Sequence, residues 1–176
     1  LEYHKWLFNS KWFTPLDNAE KLVLHTKYEF GVLGYFNKYR QSPLEGFKVG
    51  GDGISGYDMY GSDNIGLRGY ANSSITPISG VGTSYTKATI ELRYPITLSE
   101  SANIFVLGFM EAGNSWDNMK KINPFNLKRA AGAGVRFWLP MFGMLGIDWG
   151  YGFDMPNNGS PSSAKGQFAF TIGQQF

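Results

Sequence analysis

Large apolar residues alternate strictly with small and acidic ones over residues 143–154, which read GMLGIDWGYGFD. One parity holds Leu145, Ile147, Trp149, Tyr151 and Phe153, and the other holds Gly146, Asp148, Gly150, Gly152 and Asp154. A period of two residues predicts a β-strand with two unlike faces. The apolar face is continuous and aromatic, whereas glycine and aspartate would fill a protein core poorly. The pattern therefore indicates a strand whose small, polar face lines a crowded or wet lumen.

The same alternation recurs along the chain and predicts an all-β protein. Seven strands are expected, at residues 3–14, 20–35, 85–98, 103–113, 129–139, 143–154 and 166–176. Their connections alternate between short ones, at 15–19, 99–102 and 140–142, and long ones, at 36–84, 114–128 and 155–165. Short turns on one side and long loops on the other are typical of a transmembrane antiparallel β-barrel with the short turns in the periplasm.

The shared parity assigns side chains to the two faces of the barrel wall. Toward lipid we expect Trp6, Trp12, Trp149, Tyr151, Phe153 and Phe168. Toward the lumen we expect Lys27, Glu29, Arg93, Arg136 and Asp148. Residues 103–113 are apolar on both faces, and we place Glu111 inward because a carboxylate deep in lipid costs several kcal/mol.

Composition is compatible with a barrel and excludes several other classes. Charged residues make up 17% of the chain and the formal net charge is +2, so no nucleic-acid partner is expected. The absence of cysteine excludes disulfide scaffolds and zinc sites built from cysteine. The sequence contains no run of 18 apolar residues, so no transmembrane helix is predicted.

Enzyme and metal motifs are weak in this sequence. His4 and His25 lack the cysteine or HExxH context of a zinc site, so neither a metal nor another cofactor is expected. GGDG at 50–53 is not followed by the Lys-Ser/Thr pair of a phosphate loop. The serine in GISGY has the wrong spacing for a hydrolase elbow. We therefore expect a protein that is not an enzyme.

The number of strands bears on domain organisation. Seven strands do not close the even-numbered barrel that is usual in outer membranes. An open sheet edge cannot face lipid, because its backbone polar groups would be unsatisfied. We therefore expect residues 1–176 to form the C-terminal part of one barrel domain, whose other strands come from residues outside this chain.

The connection at 36–84 is too long for a structureless link and carries the most specific motif. It contains VGGDG at 49–53 and NIGLRGY at 64–70. Together with the terminal FTIGQQF, these segments resemble the sixth extracellular loop and the last strand of the Omp85 superfamily, in particular its outer-membrane assembly factors. The matching loop residues are Gly50, Gly51, Leu67, Arg68, Gly69 and Tyr70.

The resemblance implies a 16-stranded barrel preceded by periplasmic POTRA domains, in which these strands would be the last seven. Loop six, at about 36–84, would fold back into the lumen, and Arg68 would pair with acidic residues on neighbouring strands. Glu91 and Glu111 match those positions, although family members often carry aspartate at the second one. The physics agrees, because two inward carboxylates on adjacent strands need a cation, and a guanidinium offers a planar fork of five donors. Gly69 would let the loop backbone approach the wall, with Tyr70 filling the lumen beside it.

The last predicted strand carries Phe168, Phe170, Ile172 and Phe176 on one parity and Gly173 on the other. The resemblance implies that an aromatic terminal strand is the signal by which outer-membrane proteins are recognised. It also implies that this strand forms one side of a lateral gate, where an exposed edge pairs with incoming strands. Gly173 would weaken and bend the strand.

The implied function is the assembly and insertion of β-barrel proteins at the bacterial outer membrane. The implied partners are outer-membrane lipids, unfolded outer-membrane client proteins, the N-terminal part of the same barrel and accessory assembly subunits. Two alternatives share the fold: a polypeptide secretion pore of the two-partner type, and the barrel of a patatin-like phospholipase fusion. The LRGY loop argues against a plain porin.

Overall fold

The computed structural model describes residues 2–37, 39, 42, 44–53, 61–99, 103–140 and 143–173. In chain order its strands are β1 (Tyr3–Pro15), β2 (Val23–Tyr35), β3 (Gly46–Val49), β4 (Ser62–Ile65), β5 (Ser84–Leu98), β6 (Asn103–Trp116), β7 (Lys128–Leu139), β8 (Gly143–Gly152) and β9 (Gln167–Ile172). Seven of them form one antiparallel sheet with the order β1-β2-β5-β6-β7-β8-β9. The all-β, antiparallel prediction is confirmed. Within the described residues the sheet is open, with β1 and β9 at its two edges.

Burial along the sheet follows the predicted parity. In β8 each residue from Gly146 to Gly152 alternates between buried and exposed. The aromatic residues expected toward lipid are all exposed: Trp6, Trp12, Trp149, Tyr151, Phe153 and Phe168. On the opposite face, Glu111, Arg136 and Asp148 are buried, and Lys27, Glu29 and Arg93 are partly buried. The predicted division of these residues between two faces is confirmed, and we call the face that carries the charged residues the inner face.

The hydrophobic core lies between the inner face and the long loop at 36–84. Its buried members from the loop are Phe47, Val49, Leu67, Tyr70 and Ile75. Its members from the sheet and the last loop are Leu33, Tyr85, Ala130 and Ala164. The loop has strands of its own, because β3 and β4 pair in parallel inside it. Phe47 also exchanges backbone hydrogen bonds with Gly82, which ties β3 to the end of the loop.

The structure corrects the start of the second predicted strand and the end of the fourth. The second strand begins at Val23 rather than residue 20, because residues 16–22 close a turn in which Leu16 N–H donates to Leu22 O at 2.8 Å. Glu20 has a positive φ of 52° in that turn, which a strand cannot accommodate. The fourth predicted strand continues beyond residue 113 to Trp116, because Trp116 pairs with Ser84 of β5.

The ends of the last two strands also differ from prediction. β8 ends at Gly152 rather than residue 154, and β9 covers Gln167–Ile172 among the described residues, which end at residue 173. Gly173 follows β9 with a φ of +102°, so it lies in a bend and not inside the strand. Its N–H still donates to Met144 O at 2.9 Å, which keeps this end of the chain on β8. Phe176 lies outside the described residues.

Helical structure is limited to short turns in the part of the chain that the structure describes. Met119–Lys121 and Pro161–Ala164 each form a 3₁₀ turn. Among the described residues, no helix is long and apolar enough to span a membrane.

Candidate functional site

The paired glycines of the long loop hold the turn that carries Arg68. Gly50 N–H donates to Ile65 O, and Gly51 N–H donates to Tyr70 O, both at 3.0 Å. Their φ values, +128° and +75°, lie in the region that favours glycine. A Cβ on Gly50 would also lie 2.5 Å from the Ala71 carbonyl oxygen. Other residues at these two positions would distort the turn itself, because an added Cβ would clash with Ala71 and Asn72 of the same loop.

Arg68 is the centre of a buried charge cluster. Its backbone N–H and its Nε donate to the two carboxylate oxygens of Glu111 at 2.8 and 3.0 Å. Nη2 donates to Glu91 Oε1 at 2.6 Å, and Nη1 donates to Asp148 Oδ2 at 3.1 Å. The guanidinium carbon lies 3.7 Å from the centre of the Phe109 ring. One loop side chain therefore joins β5, β6 and β8.

The cluster is balanced by further cations on the wall. The partners are Lys87 for Glu111, Arg93 for Glu91 and Arg136 for Asp148. Burial acts to lower the pKa of Arg68, but the surrounding carboxylates, Glu111 foremost, more than offset it and hold that pKa above its ordinary value. Removing one partner from such a cluster leaves a buried charge uncompensated, which is far more costly than losing a surface pair.

Gly69 and Tyr70 place the loop directly on β8. Gly69 has a φ of +88°, and a Cβ there would lie 2.9 Å from the Tyr151 carbonyl carbon. Tyr70 is buried, and its ring occupies the space that a side chain at Gly152 would need. Its hydroxyl donates to Arg129 O at 2.8 Å and accepts from Asp154 N–H at 3.2 Å. Burial raises the pKa of Tyr70 to about 12.

His25 belongs to the same network on the side of the short turns. Its Nδ1 lies 3.2 Å from Glu91 Oε2, and its ring stacks on Phe13 with centroids 4.5 Å apart. Beside it, a cavity of about 390 Å³ is lined mainly by polar and charged side chains of the inner face and the loop. Among the described residues, no group of His, Asp and Glu side chains is arranged to hold a metal ion.

The structure brings the predicted loop and wall residues into one place. These are Gly50, Gly51, Leu67, Arg68, Gly69, Tyr70, Glu91 and Glu111. The glutamate at the second acceptor position reaches Arg68 with both oxygens, so its extra methylene does not prevent pairing. The contact is thus present, while its function as a latch stays a prediction. Phe168, Phe170 and Ile172 lie apart from it, on the exposed face of β9.

Sequence reasoning missed the third acceptor. Asp148 was expected in the lumen, but not as a ligand of Arg68, and it is completely buried. Arg136, which binds both Asp148 oxygens, was also expected only to face the lumen. A signal was present in the sequence, because the register pairs Asp148 with Gly134 and Arg136 with Gly146. Each charged residue faces a glycine that leaves it room.

Comparisons with known proteins identify the family and the fold of this chain. A solved structure of BamA from Haemophilus ducreyi that lacks POTRA domains 1–3 matches with a TM-score of 0.63 and 21% identity. The match covers 97% of this chain and 35% of that chain, so this chain spans about a third of its length. No curated protein sequence matches the chain. The sequence profile of the Omp85 superfamily domain matches residues 1–176. The chain therefore belongs to the Omp85 superfamily.

Proposed function

We propose that this chain is the C-terminal part of the barrel of an outer-membrane protein assembly factor, with residues 36–84 acting as its loop six. Family membership and the likeness to the BamA fold support this proposal. The open seven-stranded sheet and the coverage of 35% of the BamA chain fit a barrel that further strands complete. The exposed aromatic face would contact outer-membrane lipid.

The observation that carries the proposal is the burial of Arg68 among three carboxylates of the wall. Such a cluster fixes the loop in one position while leaving a defined set of contacts to break. In this role the turn at Gly50, Gly51 and 67–70 is a latch, and Glu91 and Glu111 are its acceptors. In this proposal the latch residues hold the loop by noncovalent contacts with the wall and take part in no covalent chemistry.

The second element of the proposal is the edge formed by β9. This strand pairs with β8 over six residues, from Gln167 to Ile172, and its other edge carries no partner within the described residues. An exposed edge can pair with the strand of a client protein through backbone hydrogen bonds. The edge would therefore be one side of a lateral gate, with unfolded outer-membrane proteins as clients and accessory subunits assisting it.

A tethering experiment on the full-length protein tests the gate. The 176 residues contain no cysteine, so an engineered pair would form the single disulfide in this part of the barrel. A disulfide between β9 and the first strand of the barrel is expected to abolish insertion of an unfolded outer-membrane protein into liposomes. Reduction of the disulfide should restore insertion, because the barrel itself stays folded.

The matched control places the disulfide on the other side of the same strand. Ile147 and Phe170 are directly opposite in the β8–β9 register, so Ile147→Cys with Phe170→Cys tethers β9 without closing its free edge. This variant should insert clients at the same rate in its oxidised and its reduced form. Insertion that survives the gate tether would refute the lateral-gate role. Polypeptide export without any client insertion would identify the secretion pore as the correct function.

A further inference from the structure

Arg136 and Asp148 form a buried, bidentate ion pair on the inner face. Arg136 Nη1 and Nη2 donate to the two Asp148 oxygens at 2.6 and 2.7 Å. Both side chains are almost fully buried. A Cβ on Gly134 would lie 1.7 Å from Asp148 Oδ1, and a Cβ on Gly146 would lie 2.6 Å from Arg136 Nη1. Two glycines therefore create the space in which the pair lies flat against the wall.

The Arg136–Asp148 pair also includes the carboxylate oxygen that accepts a hydrogen bond from Arg68 of the loop. Asp148 Oδ2 accepts from Arg136 Nη2 and from Arg68 Nη1, at 2.7 and 3.1 Å. Because Arg136 binds both oxygens, it fixes the plane and the rotamer of the carboxylate in the position that Arg68 contacts. Without Arg136, Asp148 would be a buried carboxylate with Arg68 as its one remaining ion-pair partner among the described residues.

β8, the strand that carries Asp148, contacts both the loop and β9. On its inner face β8 receives Arg68 at residue 148 and Gly69 at residue 150, where a Cβ on Gly150 would lie 2.7 Å from Gly69 N. Along its edge the same segment pairs with β9, with Asp148 opposite Ala169 and Gly150 opposite Gln167. Residues 148–150 therefore contact the loop and β9 at once.

We infer that Arg136 is a positioning residue that makes Asp148 the third anchor of the loop, and that this anchor links loop docking to the order of the β8–β9 pair. The inference rests on the proposed role of the loop as a latch. It adds that the latch does not act only on the two strands that follow the loop. Its third contact lies on the strand next to the gate edge.

Hydrogen exchange of the folded, full-length protein tests this inference at the level of peptides. In Arg136→Gln and in Gly146→Ala, exchange in residues 61–75 and 143–152 should rise about tenfold or more, because one charge-assisted contact to the loop is lost or misplaced. Gly146→Ala keeps every charge and only displaces the guanidinium. Arg136→Lys should stay folded but not restore loop protection, because an ammonium group cannot bind both oxygens in a fixed plane.

Gly108→Ala is the matched control. Gly108 lies on the exposed face of β6, and a Cβ there meets nothing within 4 Å. Its exchange should equal that of the wild type. Peptides from β1 and β2 should be unchanged in every variant. Wild-type exchange at 61–75 in both Arg136→Gln and Gly146→Ala would overturn the inference. An equal rise across β1 and β2 would also overturn it, since the pair would then be a general stabilising element.

A double variant covers the case in which Arg136→Gln does not fold. Arg136→Gln with Asp148→Asn removes both buried charges, so no uncompensated carboxylate remains. Faster exchange at 61–75 in the double variant supports the third anchor, and wild-type exchange refutes it. Exchange is measured without a client protein. Failure of the gate experiment would therefore leave this result standing, and failure here would leave the assembly role intact.

Discussion

The two faces of β8 differ sharply in side-chain size and burial, although they share one backbone. The inner face presents Asp148 between glycines, and each of these residues is buried. The outer face presents Ile147, Trp149 and Tyr151, and each of these is exposed. In a soluble protein the large apolar side would be buried and the small side would be in water.

The difference shows what each face packs against. On this face Gly150 makes room for the loop backbone at Gly69, Gly152 for the Tyr70 ring and Gly146 for Arg136, so an added side chain at any of them would clash. The outer aromatic residues are exposed within the described structure, and lipid contact would explain their size. Most of the order of the inner face therefore depends on the loop, and removing the loop contacts should affect the two faces very differently.

Removing Arg68 should give the largest effect. Arg68→Ala leaves three buried carboxylates with fewer cations, and the free energy of unfolding is expected to fall by roughly 3–5 kcal/mol. Urea unfolding of the protein in lipid vesicles, followed by tryptophan fluorescence, measures this change. The inner face would lose its order, whereas the outer residues would keep their environment until the barrel unfolds.

The control for this variant is an arginine in an exposed pair. Arg129 bonds with Asp154 at the rim, and Arg129→Ala should cause no measurable change because solvent screens the pair. Equal stability of the Arg68→Ala and Arg129→Ala proteins would show that the buried cluster contributes nothing special to the inner face.

An added methyl group should have a moderate effect that depends on the face. Gly150→Ala places a Cβ 2.7 Å from Gly69 N, so the loop must move away, at a cost of about 1–3 kcal/mol. Gly108→Ala adds the same group on the outer face, where the space is open. Its stability should stay close to that of the wild type. Similar losses in both variants, measured in the same urea titration, would contradict the argument that Gly150 makes room for the loop.

The alternation of residues was sufficient to predict the strands and their faces, because a strand places successive side chains on opposite sides wherever it lies. The contact of Arg68 with Glu91 and Glu111 was predicted from the motif and from the need of two inward carboxylates for a cation. Asp148 was not predicted as an acceptor, because it is 80 residues away from Arg68 in the chain. Only the path of the loop across the wall decides which inward carboxylate it reaches.

Local features also set limits on what could be predicted. The glycines of β8 indicated a crowded or wet lumen, and the structure shows crowding by the loop at 69–70. Gly173 was expected to weaken and bend the last strand, and its positive φ places it in a bend directly after β9. Strands β3 and β4 were not predicted because each is four residues long, which is too short for a period-two pattern to stand out.

The last expected effect is absent at neutral pH, because it is an alkaline weakening of the Tyr70 contact. Burial raises the pKa of Tyr70 from 10.0 to about 12. The folded protein therefore keeps the hydroxyl proton at a pH where the unfolded chain loses it. The contribution of this group to stability is fully present below pH 10 and is lost as the pH rises through about 12.

Tyr70→Phe separates this titration from that of the other tyrosines. The variant loses the hydrogen bonds to Arg129 O and Asp154 N, so it should be slightly less stable than the wild type at neutral pH. Between pH 10 and about 12, however, its urea midpoint should fall less steeply than that of the wild type, because a phenylalanine side chain cannot ionise. Parallel curves for the two proteins over this range would mean that Tyr70 is not held in its neutral form by the loop. The inner face near Gly152 would then be more open to water than the packing of the ring indicates.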